Sequence, residues 1–277
     1  MSSWMTFCYF GFLFVLQQTS LSAFPCHQCK AMIFNHSITI DEIPSPSSDD
    51  CTIITADNTC SVRISYYENG NSEVLYTTDL DLRADTISVQ ILRRVTTWSA
   101  AYDTRRYMIY TCQPSNSTPC NTEGNLKRSI ASTIFPNDDQ IRTFDTLIAP
   151  TTEFFGRQCY QDSNSTECVE NNFDSCQQCW GIMQYSAQTT VCGMCPAGKA
   201  LTNFIEYTST FYLDNQTRSD TIKLGCRQFN ACNSIENLER IRQILITEFD
   251  FDRFNTSTIP QLSFFLFFLI LLRSISM

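Results

Sequence analysis

Two stretches of the chain end alike. Cys112…Cys120-Asn121-Thr122, continuing as Glu123-Gly124-Asn125-Leu126-Lys127-Arg128, is matched by Cys226…Cys232-Asn233-Ser234, continuing as Ile235-Glu236-Asn237-Leu238-Glu239-Arg240. A cysteine pair, an Asn directly after the second cysteine and then Asn-Leu-x-Arg, met twice, implies two related disulfide-closed modules in tandem. The sequence divides accordingly into a signal segment (1–23), a first module (24–122), a linker (123–154), a second module (155–234), a helical stalk (235–255) and a removed C-terminal propeptide (256–277).

The two ends indicate the compartment. Trp4 to Leu16 is an almost unbroken apolar run, and small residues at Ser20 and Ser22 suit signal peptidase, so the start reads as a cleaved secretory signal. It lacks a basic n-region, which leaves an uncleaved anchor as the alternative. Cysteine parity favours cleavage: the chain has 15 cysteines, Cys8 lies inside the apolar run, and its removal leaves an even number.

At the other end, Leu262 to Leu272 is apolar and only Arg273 and four residues follow. At about 1.5 Å per helical residue it covers roughly half of a hydrocarbon core about 30 Å thick. A short apolar tail behind a polar spacer and small residues is the composition of a glycosylphosphatidylinositol (GPI) attachment signal. Asn255-Thr256-Ser257 is the tight small-residue triplet, so Asn255 is the expected lipid-bearing residue. A short tilted single-pass span is the alternative.

A formal net charge of −9, with no basic block interleaved with aromatics, argues against a nucleic-acid partner. Asn-x-Ser/Thr acceptors stand at Asn35, Asn116, Asn164 and Asn215, as expected of a secreted glycoprotein, and Asn255 is a fifth that a lipid would occupy.

The first module holds Cys26, Cys29, Cys51, Cys60, Cys112 and Cys120, and spacing alone cannot choose among the fifteen pairings of six cysteines. The intervening sequence is strand-like over Cys60–Tyr67, Ser72–Thr78, 86–92 and 107–112, with a tight-turn signal at Asn69-Gly70. Strands with long polar connections bury little core, and disulfides, each adding about 2–4 kcal/mol, would compensate.

Cys26-His27-Gln28-Cys29, a loop closed at Asp50-Cys51, a cysteine opening a strand at Thr59-Cys60-Ser61-Val62 and a terminal Cys-Asn together resemble the three-finger domains of the lymphocyte-antigen-six and urokinase-receptor superfamily. The resemblance implies Cys26–Cys60, Cys29–Cys51 and Cys112–Cys120, with Asn121, and Asn233 in the second module, bonding back into the disulfide head. Two of that family's five usual disulfides have no cysteines here.

The second module carries Cys159, Cys168, Cys176, Cys179, Cys192, Cys195, Cys226 and Cys232. Only Cys226–Cys232, followed by Asn233, matches the family ending. Gly156-Arg157-Gln158-Cys159-Tyr160 resembles a family first strand, but Cys-x-x-Cys comes later, at Cys176-Gln177-Gln178-Cys179. A three-finger variant with a displaced head is the expectation, an unrelated disulfide-rich module the alternative, and the pairing of the other six cysteines stays open.

Chemistry finds little foothold. Cys176-x-x-Cys179 and Cys192-x-x-Cys195 would suit zinc in a reducing compartment, but behind a signal peptide they oxidise, so no metal or cofactor is expected. His27 and His36 are the only histidines, and the carboxylate pairs Asp49-Asp50 and Asp138-Asp139 lie in turn-like segments, so no enzyme is expected.

The linker has a helix-compatible run, 125–135, ended by Pro136. Leu238, Ile241, Leu245 and Phe249 recur at helical spacing, behind Asn233 and Ser234 as caps, and Glu236 with Arg240 makes an i,i+4 pair. An amphipathic helix packed on the module above it is the expectation there. The whole reads as a mainly β, non-enzymatic, GPI-anchored protein of the outer plasma-membrane leaflet. The resemblance implies that it binds an extracellular or membrane protein or modulates a receptor, through fingertips and a flat β face. Tyr66, Tyr67, Trp98 and Tyr102 are the candidate contacts, unless they pack the core. An adhesive surface-coat component is the alternative function.

Overall fold

The structure, a computed structural model, describes residues 24–46, 49–78, 82–96, 99–114, 117–150, 154, 158–164, 168, 176–196, 202–227 and 231–256. The signal segment, Trp98, Asn116 and the tail from residue 257 lie outside the described residues. Among the described residues, no helix is long and apolar enough to cross a membrane.

Strands dominate. β1 (Phe24–Cys29) and β3 (Cys51–Ala56) form a two-stranded antiparallel sheet. Nine others make one antiparallel sheet: β2 (Met32–Phe34), β4 (Cys60–Tyr67), β5 (Ser72–Thr78), β6 (Thr86–Thr96), β7 (Tyr102–Cys112), β9 (Cys179–Tyr185), β10 (Thr190–Met194), β11 (Thr202–Tyr212) and β12 (Thr217–Cys226). Their order is β10-β9-β12-β11-β6-β7-β4-β5-β2. β8 (Thr133–Ile134) pairs with β13 (Glu248–Phe249) separately. The helices are α1 (Glu123–Ala131), α2 (Asp138–Arg142), α3 (Asp145–Ile148), α4 (Ile235–Ile244) and α5 (Phe251–Thr256).

β4 and β5 fall where the alternating pattern puts them, joined by a turn in which Gly70 takes φ +83°, a left-handed conformation that glycine adopts without strain. β6 runs on to Thr96 and β7 starts at Tyr102, longer than the pattern suggests. The reason is a partner in the other half: β6 pairs with β11 along eleven residues, from Thr86↔Tyr212 to Thr96↔Thr202.

This pairing creates an approximate two-fold relation. Each half contributes four strands in the same order from the seam outward, β6-β7-β4-β5 and β11-β12-β9-β10. Aligning Cys112 with Cys226 and Cys60 with Cys179 through the hairpin registers makes Gln90 equivalent to Thr208, and these two face each other across the seam. The axis passes through that pair.

One face of the sheet is covered and apolar. Directly paired residues share a face in antiparallel strands. The row Tyr66–Arg106–Ile91–Tyr207–Ile222–Met183 therefore crosses the covered side of both halves. The helices lie on this side, and each core borrows from the other half. Ile91 and Val95 of β6 enter the second core with Ile141, Phe144, Ile148, Leu238 and Ile241. Phe211 of β11 and Phe254 of α5 enter the first core.

Two segment expectations need correction. The linker, over its described residues 123–150, is a helical layer rather than a connection: Ile141, Phe144 and Ile148 are fully buried at helical spacing, and Asn137 caps α2 through a reciprocal capping box with Gln140. Helix α1 ends at Ala131 with Ser132 as its C-cap, and the chain turns into β8 ahead of Pro136. The stalk 235–255 is not a spacer either. Leu238, Ile241 and Leu245 bury α4 against the sheet as expected, but the chain then returns to the first half. There Phe249 stacks on Phe211 at 5.1 Å, and Phe254 is buried beside Tyr110. Glu236 and Arg240 form no ion pair among the described residues; Arg240 lies over the Phe144 ring at 5.8 Å.

Candidate interaction surface

The repeated endings close two equivalent heads. The Asn121 side chain is fully buried. Its Oδ1 accepts the His27 backbone N–H at 2.9 Å, while its Nδ2 donates to the carbonyls of His27 (2.8 Å) and Ser61 (3.1 Å). Asn233 does the same in the second half: its Oδ1 accepts from Tyr160 N–H at 2.8 Å, and its Nδ2 donates to Tyr160 O (2.9 Å) and Trp180 O (2.7 Å). In each case the clasped residues directly follow the two cysteines of one disulfide, Cys26–Cys60 or Cys159–Cys179.

The second part of the repeat has the same economy. Thr122 and Ser234 cap α1 and α4, and the side-chain amides of Asn125 and Asn237 donate to the carbonyls of Cys120 (2.6 Å) and Cys232 (2.9 Å). Leu126 and Leu238 are fully buried. Arg128 and Arg240 lie over Phe254 and Phe144. Gly181 lets the second helix approach, since a Cβ there would stand 3.1 Å from the Asn233 carbonyl and 3.2 Å from Leu238.

The first head contains Cys26–Cys60, Cys29–Cys51 and Cys112–Cys120. The second contains Cys159–Cys179, Cys168–Cys192, Cys176–Cys195 and Cys226–Cys232. The second head is therefore not displaced. Cys179 opens β9 as Cys60 opens β4, and Cys176-x-x-Cys179 only mimics Cys26-x-x-Cys29 in spacing. Sulfurs of Cys159, Cys176 and Cys195 lie within 4.8 Å of one another because two disulfides stack, with Cys159 Sγ 3.6 Å from Cys195 Sγ. Seven disulfides belong to an oxidising, extracytoplasmic compartment.

The tyrosines offered as contacts are largely committed elsewhere. Tyr66 is on the covered face, packs against the first core and donates to Ile38 O at 3.5 Å; burial raises its pKa. Tyr102 packs against the second core and donates to Asp145 O at 3.3 Å. The Arg93 guanidinium lies 4.7 Å from the Tyr102 ring. Arg93 is 3% exposed and reaches Asp145 (2.9 and 2.8 Å), Glu68 (3.0 Å) and Thr104 Oγ1 (2.6 Å), pinning α3 to two hairpins. Burial opposes its charge, yet these carboxylates raise its pKa. Tyr67 alone points to the uncovered face, where it donates to Glu73 at 2.9 Å and sits under Arg105. Burial and then Glu73 raise its pKa.

The uncovered face runs across both halves of the sheet. The helical layer leaves this face bare, although toward the first head Ser61, Thr86 and Thr111 are buried and Gln28 of β1 accepts the Thr77 hydroxyl at 3.2 Å. Half-exposed Leu75, Ile109, Tyr107, Leu92, Phe204 and Trp180 alternate with charges there. The charges are paired across strands: Arg63–Glu73 at 2.8 Å, Arg94–Asp103 at 2.8 Å and Lys223–Glu206 at 2.9 Å. Trp180 and Phe204 meet edge-to-face at 5.6 Å. The result is broad, amphipathic and close to charge-neutral. Period-two alternation was the available signal, but it shows which residues share a face, not that the two halves' faces merge.

The glycan acceptors in the described residues, Asn35, Asn164 and Asn215, are exposed. Asn215 Oδ1 accepts the Thr217 hydroxyl at 2.6 Å, whereas Asn164 is already bonded to Thr189 and to Val191 of edge strand β10. Asn255 is exposed on α5. No family model matches the chain, and no match was found among curated proteins or solved structures.

Proposed function

We propose that the chain is a secreted, GPI-anchored surface protein of three-finger type that binds another extracellular or membrane protein through the uncovered face of its sheet. The observation that carries this reading is that face itself: aromatic and aliphatic side chains set among mutually neutralised charges lose little on desolvation and gain area. The three-finger assignment is supported by three hairpin-like units, β1–β3, β4–β5 and β6–β7, that extend from one head. That head has the three disulfides and the buried Asn that the resemblance implies. With Asn255 on α5, a lipid there would hold the body directly against the membrane, without a stalk.

The test is proximity labelling at the surface of cells displaying the full chain. Tyr107→Asn combined with Ile109→Thr creates a glycan acceptor in the middle of the face. Loss of labelled neighbours with normal display is the expected result. An unchanged set of neighbours refutes the face, and labelling of further copies alone indicates a coat component. Retention after phosphatidylinositol-specific phospholipase, together with survival of an epitope placed after Met277, overturns the anchor.

A further inference from the structure

We infer that the outer edge of β3 takes up an extended segment of another protein as an added strand, the segment being uncharged and β-branched with a basic residue at each end. β3 is bonded on one side only: it pairs with β1, and no described strand lies along its other side. The phase of the hydrogen bonding shows what that side offers. Opposite residues of an antiparallel pair exchange both backbone bonds or neither. His27 commits its N–H and its carbonyl to the Asn121 side chain, so the His27–Ile53 pair exchanges neither, and the backbone N–H and carbonyl of Ile53 point outward. Thr55, two residues on and opposite Pro25, which has no N–H to give, is in the same phase. The edge therefore presents two donor–acceptor sets roughly 7 Å apart.

Both edges of the nine-stranded sheet are guarded, and this one is not. β10 is closed by the segment that precedes β9: Ser163 bridges to Cys192, Gly193 N–H donates to Asp162 O at 2.9 Å, and Val191 N–H donates to the Asn164 side chain at 2.6 Å. β2 is three residues long and runs straight into the acceptor triplet at Asn35. β3 has six residues, Cys-Thr-Ile-Ile-Thr-Ala, without charge, proline or glycine, and both isoleucines are exposed, Ile53 by 63% and Ile54 by 36%. Successive side chains point to opposite faces, so the pair offers apolar contact on both sides of an added strand. A bare, β-branched edge of this kind is what native chains otherwise block.

Charge selects the occupant. Exposed Asp49 and Asp57 flank the strand, and among the described residues no cation pairs with either, whereas Asp50 is held by Lys30 at 3.0 Å. A second copy of the chain fits poorly. Antiparallel self-pairing about Ile53 sets Asp49 against Asp57 of that copy, and pairing about Ile54 sets Asp57 beside its Asp50; like charges so placed repel. A foreign strand with Lys or Arg at each end meets an acid at each end instead, while its backbone takes the free groups of Ile53 and Thr55 and its side chains cover the isoleucines.

The probe is a fluorescein-labelled peptide, Lys-Val-Thr-Val-Thr-Val-Thr-Val-Lys, whose nine residues match the span from Asp49 to Asp57. Held at nanomolar concentration, it is titrated by anisotropy with the full-length chain, expressed in secreting cells and released from their surface. Saturable binding at micromolar concentration is expected, at least about tenfold weaker when the end lysines are glutamates and absent when the peptide's backbone nitrogens are methylated. Asp49→Lys combined with Asp57→Lys, at exposed positions, reverses the preference between the two peptides. Thr55→Pro weakens binding at least about tenfold with little change in melting, since residue 55 gives β1 no ladder bond. No binding of the lysine-ended peptide, equal binding of both peptides, or undiminished binding after methylation overturns the proposal. So does a dimer in sedimentation that Thr55→Pro dissociates, which would give the edge to a second copy. The chain carrying the glycan at residue 107 binds the peptide as the wild type does; loss of binding there would make the edge part of the uncovered face and overturn it as a separate site. The edge and the face can therefore each fail alone.

Discussion

Replacing Asn121 by Ala tests the heads most directly. The substitution removes three good hydrogen bonds in a fully buried setting; a fourth contact, to Thr77 O at 3.5 Å, is too long to count. The His27 N–H loses its acceptor outright, at about 1–3 kcal/mol, while the two carbonyls retain a second lone pair and lose less, so the total is about 2–4 kcal/mol. For a chain of this size each kcal/mol lowers the melting temperature by roughly 2–4 °C, giving a fall of roughly 4–16 °C. Asn121→Asp keeps the acceptor for His27 but turns the second oxygen toward two carbonyl oxygens, so it falls further than Ala despite being isosteric. Asn233→Ala and Asn233→Asp repeat both results, because Tyr160 and Trp180 present the same three atoms. Calorimetric melting of the purified, disulfide-intact protein is the measurement. An Asp variant as stable as the Ala variant, or a shift below 2 °C at either site, would falsify the reasoning that these residues lock the heads.

Phe254→Ala, which truncates a buried ring contacting Tyr110 and Phe249, costs about 2–4 kcal/mol in chemical or thermal unfolding; a spacer stalk at this position would give no change. Burial holds the His27 imidazole below its ordinary value of 6.5, so below that pH the unfolded chain takes up a proton before the folded one does. Stability from this group is full above pH 6.5 and is lost as pH falls through the folded-state value. A drop in melting temperature between pH 7 and 5 that is smaller in His27→Gln is expected, and an equal drop in both proteins refutes the assignment.

Local pattern revealed what local pattern can carry. β4 was bounded to the residue by alternation, β5 by its β-branched and aromatic residues, and α4 by a cap and the spacing of Leu238, Ile241 and Leu245. The three cysteine pairs of the first head followed from family resemblance, since spacing leaves them undetermined. Long-range pairing was not legible: β6 and β11 each alternate, but neither sequence names the other as partner. Ile141, Phe144 and Ile148 stood at helical spacing too, split between elements of five and four residues, too short for periodicity to rise above the polar turn between them. Cys176-Gln177-Gln178-Cys179 misled because cysteine spacing reflects covalent connectivity only after strand order is known. Tyr66 and Tyr102 stayed open between contact and core for a related reason: an aromatic in an alternating strand has the same appearance whether its side is covered or bare.

The seam at Gln90 and Thr208 makes this chain, in effect, a homodimer whose subunits have been spliced into one polypeptide. Excision of either half would bare an eleven-residue strand edge and empty part of the other's core. Splicing also frees the two copies from having to mutate together. An interface formed by identical subunits changes on both sides at once, whereas here Arg93 holds its carboxylates in one half while its counterpart, Phe211, packs on Phe249 of β13 and Phe251 of α5. Symmetry supplied the frame, and covalent linkage let each side specialise.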